Sequence, residues 1–498
     1  MLSKYFELQS GQASGLPATI SPQTFTLKPD ESKPNVPELE DPLEIAGVEL
    51  PNRLYRAPLL ECAGNGPDAV DALIRELEPA AESGVGLVCQ GATIVRGKGG
   101  CAAPGMTRVH DPKFVAKLER LTDAIHDHDS RIFVQLEHGG LRSMETWHAG
   151  YRAEHPDLRQ LAVSRPPAVL RALDRVGFLS YDAHVLDTAE VYDLAEDFGE
   201  SAKHAIDAGY DGIHIAGANM GIVQQFLSPF YNRRTDEFGG SLAERTNFLE
   251  LVHDEIRKRV GPDVPIVTKV PAETTAPPFV RKHLSLADGV RICDRLSDVG
   301  FDALVPVQAS VFWDASIVRG AFPARAWRDE RFREGYADAF GSKWRASMVA
   351  LLNWLQSKKY DFDPAWNRPF TRRVTDRVSV PVLAEGGIRT RNGIDRLLDE
   401  GDCDAVGMGR PFYAEPRLPA RILGNGSERN KGGEGNKGSE GDEKTGTAVV
   451  CENCNNCTVP QATGARGVCR TPTVLEKRGE LRKAGVYDVD DSGGRPNR

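Results

Sequence analysis

The chain has 498 residues, 40 % of them hydrophobic and 27 % charged, the profile of a water-soluble globular protein large enough for one decorated domain. Its 62 basic and 71 acidic residues give a formal net charge of −9, and with no basic block this excludes a general nucleic-acid binder. No run approaches the roughly 18 apolar residues of a membrane span, and the first residues lack the apolar core of a secretory signal, so a cytoplasmic location and no membrane partner are expected.

Residues 1–41, rich in Pro, Ser, Thr and Glu, read as an extended N-terminal arm. From 42 to 423, eight short β-rich runs follow: Leu54–Pro58, Val85–Gln90, Ile132–Leu136, Gly212–Ala216, Ile266–Val270, Ala303–Val307, Val382–Glu385 and Ala405–Met408. Between them lie stretches whose apolar residues recur every three or four positions, among them Pro112–Asp129, Val191–Ala208, Leu242–Val260, Ser285–Val299 and Arg391–Glu400, the helical period. Eight strands alternating with helices predict an α/β fold closed as a TIM (β/α)8 barrel rather than an open doubly wound sheet.

Two stretches interrupt the alternation. Residues 308–377, after strand six, are too long for a barrel loop and hold Trp313, Trp327, Trp344, Trp354 and Trp366, five of the six tryptophans. This insertion is expected either to cover the catalytic face as a lid or to pack as a separate helical excursion. Residues 424–446, rich in Gly, Lys and Glu, read as a disordered linker. The linker contains Gly433-x-Gly435-x-x-Gly438, but no strand precedes it and no helix follows, so it is not expected to bind a dinucleotide. A cysteine-rich C-terminal extension, 447–498, completes the chain.

The informative residues stand at strand ends. Gly386 and Gly387 follow strand seven; Gly409 and Arg410 follow strand eight. In many barrels these two loops hold a phosphate, glycine letting backbone N–H groups approach the oxygens and arginine adding a charged donor. The same loops also read simply as Gly-rich turns.

At this level the sequence resembles the old yellow enzyme (NADH:flavin oxidoreductase) family. The resemblance rests on NRLYRAPL (52–59), IFVQLEHGG (132–140), GYDGIHIAGAN (209–219), QQFLSPFYNRRTDEFGGSLAER (224–245), PVLAEGGI (381–388) and GMGRPF (407–412). It implies a TIM barrel with FMN at its top. Pro58 and Leu59 would line the flavin, Ala92 would touch its ring, and Gln135 would bond its pyrimidine edge. Lys269 stands where the family usually has arginine, beside the position of the reduced flavin's charge. Gly386, Gly387, Gly409 and Arg410 would grip the phosphate.

Departures from the family pattern concern the substrate side. Its strand-four motif of His, His or Asn, and Tyr binds a carbonyl and donates a proton; here the three positions are Ala216, Asn219 and Gly221. Leu60 replaces the usual flavin-tuning Thr or Cys. The candidate catalytic groups are therefore Asn219, His138 at the end of strand three and His214, which strand alternation puts on the same face as position 216. Tyr231, Glu61 and Asp314 are weaker candidate acids. Cys62 reads as a flavin neighbour or an inert core thiol, and His214 as a catalytic group or a hydrogen-bonded core histidine.

Four of the nine cysteines form Cys451-x2-Cys454-x2-Cys457-x11-Cys469. This resembles the iron–sulfur motif of the larger family members, which have three residues between the second and third cysteines and continue into a second nucleotide-binding domain. A [4Fe–4S] cluster, a four-thiolate zinc and unmetallated thiols all remain open. The expected activity is hydride passage between NAD(P)H, flavin and a small unsaturated carbonyl or cyclic substrate. A dehydrogenase or isomerase lacking the tyrosine donor is one alternative; a silent barrel used as a binding scaffold is the other. Nothing in the sequence sets the oligomeric state.

Overall fold

The computed structural model describes residues 36–97, 99–311, 314, 316–424 and 448–488. Most of the expected arm, Trp313 and the linker with its GxGxxG run lie outside these residues.

Eight parallel strands make the centre of the fold: β1 (Leu54–Arg56), β2 (Leu87–Ile94), β3 (Arg131–Glu137), β4 (Gly212–Ile215), β5 (Ile266–Ala272), β6 (Ala303–Gln308), β7 (Leu383–Glu385) and β8 (Ala405–Met408). Neighbours in sequence are neighbours in the sheet, β8 pairs with β1, and a parallel bridge from Leu304 to Val382 joins β6 to β7. The ring is a TIM barrel. Around it run α1 (Ala69–Glu82), α2 (Glu119–His126), α3 (Thr188–Asp207), α4 (Leu242–Val260), α5 (Leu286–Val299), α6 (Arg368–Thr375), α7 (Arg391–Asp399) and α8 (Leu418–Gly424).

Strands covered on both faces need apolar residues on both, which is why these segments read as continuous runs. All eight residues of β2 are buried. Tyr55, Leu87, Phe133, Val267, Val305 and Leu383 fill the barrel, and Leu43, Ile45 and Leu50 of an N-terminal hairpin join them. The hairpin thus plugs the end of the barrel where the strands begin. Leu73, Phe198, Phe248 and Leu296 seal the helices to the outer faces of the strands; a fully buried side chain of this size contributes about 1.5–3 kcal/mol.

Local chemistry sets the element ends. Three helices start on capping boxes: Asp187 with Glu190, Ser241 with Glu244, and Ser285 with Asp288. The first explains why α3 begins at Thr188, ahead of the apolar pattern that starts at Val191. β2 runs past Gln90 to Ile94 through a register shift. There Gly91 passes under the loop after β1; a Cβ on it would lie 1.1 Å from the Leu59 carbonyl oxygen.

Between Gln308 and α6 the chain forms helices Ala324–Arg328, Glu330–Phe340 and Lys343–Lys359. Trp327 packs on Tyr336 and Phe340. Glu330–Phe340 also touches a 3-10 turn at Val459–Thr463 in the C-terminal extension. The face of Lys343–Lys359 bearing Trp344, Leu351, Trp354 and Leu355 is exposed. Helix α6 packs on β6 and α5 as an ordinary barrel helix, so the excursion occupies 309–367. Among the described residues no helix is long and apolar enough to cross a membrane.

Candidate active site

The C-terminal ends of the strands open onto a cavity of about 440 Å³, within the size range of cofactor sites. Eight of the expected residues line it: Pro58, Leu59, Asn219, Lys269, Gly386, Gly387, Gly409 and Arg410. Ala92, Gln135, His138 and His214 stand behind the wall.

The two glycine loops are built for close backbone approach. Gly386 and Gly387 have φ of +105° and +74°, in the left-handed region that favours glycine. A Cβ on Gly386 would meet Asn367 Nδ2 at 2.6 Å, and one on Gly387 the Asp363 carbonyl oxygen at 2.4 Å. Trp366, at the return of the insertion, closes over this turn. Three buried donors of residues lining the cavity have no hydrogen-bond partner among the described residues: Trp366 Nε1, Arg389 Nε and Asn453 Nδ2. Unsatisfied buried donors carry a desolvation cost of about 1–3 kcal/mol each, which an anionic ligand would remove. The donor set and the glycine turn fit a phosphate-bearing cofactor such as FMN.

Arg410 donates to Asn455 Oδ1 and, at 2.7 Å, to the Arg319 carbonyl. It also lines a second, small cavity framed by Cys451, Cys454, Cys457 and Cys469. Burial pushes the Cys457 thiol up to about 12, and raises Cys451 and Cys469, while Arg410 pulls Cys451 and Cys457 down. The four thiols share one cavity, yet among the described residues no group of three or more His, Cys, Asp or Glu side chains is close enough to hold a metal ion.

Deeper in the main cavity, Lys269 Nζ donates to Glu385 Oε2 at 2.6 Å, and the Tyr55 hydroxyl donates to Glu385 Oε1 at 3.0 Å. The positive charge expected there is paired. Glu385 is a site residue that the sequence reading did not single out.

A second such residue is Glu137, the last of β3. It lines the cavity, is 3 % exposed, and its Oε1 has no hydrogen-bond donor among the described residues. Burial pushes its carboxyl up to about 7, against the pull of Arg142, Lys269 and the Asn219 amide. Arg142 Nη1 stands 4.0 Å from Oε1. Strand alternation was the available signal, since positions 135 and 137 share a face.

The remaining candidates have structural partners. Gln135 gives its Nε2 hydrogen to His214 Nδ1 at 3.1 Å and accepts Asn219 Nδ2 at 3.1 Å. The proton of His214 is then on Nε2, which is unpartnered. His138 is buried against Gly100, and its Nδ1 accepts the Gly140 N–H at 3.1 Å. Burial, with Arg96 and Arg108, drives its pKa down to about 3, leaving the ring neutral at physiological pH. Glu61 pairs with Arg56 at 2.8 Å. Asp314 accepts from Thr274 at 2.8 Å and from Tyr360. Tyr231 belongs to a separate apolar cluster. Cys62 lies in another, with Ala92, its thiol raised by burial to about 12. None of these four lines the cavity.

A metal reductase of Desulforamulus reducens is 26 % identical over 393 residues, 78 % of this chain and 49 % of that protein. The probable NADH-dependent flavin oxidoreductase YqiG of Bacillus subtilis is 28 % identical over 378 residues, 76 % of this chain and 85 % of that protein. The chain spans about half the length of several of its curated relatives. The solved old yellow enzyme homologue from Zymomonas mobilis matches 88 % of this chain and 98 % of its own at TM-score 0.57 and 20 % identity, a likeness of fold. The model of the family described as NADH:flavin oxidoreductase / NADH oxidase matches residues 38–334. That stretch carries six of the eight barrel strands and the walls that Pro58, Asn219 and Lys269 give the cavity, and it places this chain in the NADH:flavin oxidoreductase / NADH oxidase family.

Proposed function

We propose that the chain is an FMN-dependent oxidoreductase that passes hydride between NAD(P)H, flavin and a small unsaturated carbonyl or cyclic substrate. The observation that carries this reading is the set of unpartnered donors, Trp366 Nε1, Arg389 Nε and Asn453 Nδ2, on residues that line one cavity with the Gly386–Gly387 turn and Arg410. Bound FMN would supply a two-electron carrier that takes hydride from the nicotinamide and returns it to the substrate. Gly386, Gly387, Gly409, Arg389 and Arg410 would hold its phosphate, and Pro58 and Leu59 would wall its ring. Lys269, with its charge shared by Glu385, would stand beside the isoalloxazine. Asn219 would offer the substrate's carbonyl the Nδ2 hydrogen that Gln135 Oε1 does not take. A scaffold has no need of such a donor set.

For the cysteines we propose a [4Fe–4S] cluster, on the resemblance of their spacing to the family's iron–sulfur motif and on the small cavity that the four thiols frame. No step of the reaction is assigned to it.

The test is anaerobic purification and a visible spectrum, followed by NADH or NADPH. A flavin band that bleaches on addition supports the proposal; a colourless protein that takes up no added FMN refutes it. Product analysis with an enone separates reduction from isomerisation. Iron and acid-labile sulfide assays decide the cluster.

A further inference from the structure

The cavity holds few groups able to move a proton to a substrate. Glu385 is spent on Lys269 and Tyr55. Tyr413 gives its hydroxyl hydrogen to the Leu60 carbonyl at 2.7 Å, and burial raises it well above the tyrosine range. Glu137 is different, with one carboxylate oxygen of a buried side chain left without a donor at the cavity wall.

The backbone opposite makes room for it. A Cβ on Gly221 would lie 3.0 Å from Glu137 Oε1 and 3.4 Å from its Cγ. The carboxyl therefore takes up the space into which a side chain at 221 would project, beside Asn219. Burial against Arg142 and Lys269, the charges that face it, leaves the group near its midpoint at neutral pH, where a side chain serves best as both acid and base.

We propose that Glu137 is the catalytic acid of this site. The proposal rests on the reading of the chain as a flavin oxidoreductase. The carbon–carbon π bond of an unsaturated carbonyl breaks. Hydride from reduced flavin, carrying two electrons, forms a C–H bond at the β carbon. The Glu137 O–H bond breaks and its proton forms the C–H bond at the α carbon. The substrate is reduced, the flavin is oxidised, and the Glu137 carboxylate recovers a proton from water.

The test uses the flavin-loaded protein and the variant Glu137→Gln, of the same shape but unable to release a proton. Stopped flow follows bleaching by NADH and then reoxidation by 2-cyclohexenone. The expected result is a loss of at least about 100-fold in reoxidation, the usual worth of a general acid, against less than about threefold in bleaching. The break in the reoxidation pH profile near 7 disappears, and Glu137→Asp restores part of the rate. Independently of turnover, the wild type shows one more protonated-carboxyl infrared component titrating near 7 than Glu137→Gln, in which only those of Glu76 and Glu273 remain. Reoxidation of Glu137→Gln at the wild-type rate, or an infrared titration that the substitution leaves unaltered, overturns the assignment. A wild-type protein that binds no flavin, or whose flavin NADH does not bleach, instead overturns the broader reading.

Discussion

Replacing Glu137 by glutamine has a consequence for stability that needs no cofactor. In the folded apoprotein the carboxyl holds its proton up to about pH 7; in the unfolded chain it does so only to about 4.3. Across that window the folded state binds more protons, so stability falls as pH rises, and the loss is complete above about 7. At about 1.4 kcal/mol per pH unit the difference amounts to as much as about 4 kcal/mol. Glutamine does not titrate. Glu137→Gln should therefore gain on the wild type by several kcal/mol between pH 4.5 and 8; Glu76 and Glu273, which desolvation also raises, to about 7 and about 8, contribute to both proteins. Urea unfolding of the two apoproteins at these pH values, followed by tryptophan fluorescence, measures the gap. A gap that stays constant with pH refutes the placement of this carboxyl in a buried, weakly compensated position.

Lys269→Met leaves Glu385 buried with only Tyr55 for company and should cost about 3–5 kcal/mol; the double variant Lys269→Met/Glu385→Gln should recover most of it in the same unfolding assay, and an equal loss in both would deny the pairing. Gly387→Ala forces a side chain into the left-handed region and against the Asp363 carbonyl, so FMN affinity in fluorescence titrations should fall more than tenfold with circular dichroism unchanged. Gly91→Ala, with no space for a Cβ beneath Leu59, should cost more than about 3 kcal/mol or give no soluble protein. Cys457→Ser should lose iron and acid-labile sulfide together while retaining flavin; retention of both would dismiss Cys457 as a ligand, and their absence from the wild type would dismiss the cluster.

The barrel was legible because each strand is covered on both faces and is mostly apolar, with its polar residues reserved for the site, and because the helices between them repeat at 3.6 residues. The glycine loops after β7 and β8 were legible as features of the cavity rim, and Gly386 and Gly387 do stand in the left-handed region. The partners of the polar residues were not. Lys269 and Glu385 are separated by 116 positions, and no local pattern joins them. Arg410 finds Asn455 across a linker, and Asp314 finds Tyr360 across the insertion. Glu137 is the instructive omission. Gln135 was read for its place on β3, yet the same alternation that sends it inward sends Glu137 after it, while His138, of opposite parity, turns away toward Gly100.

The wall of the main cavity includes Asn453, Thr458, Gln461 and Ala462, from the far end of the chain, and Gln461 Nε2 fastens that segment to the Leu60 carbonyl at 2.5 Å. During translation the barrel strands therefore emerge long before the pocket at their mouth is roofed. Cofactor loading waits for residues 453–462 to arrive, and cells starved of riboflavin should accumulate a folded barrel in which that segment is the first part open to proteases.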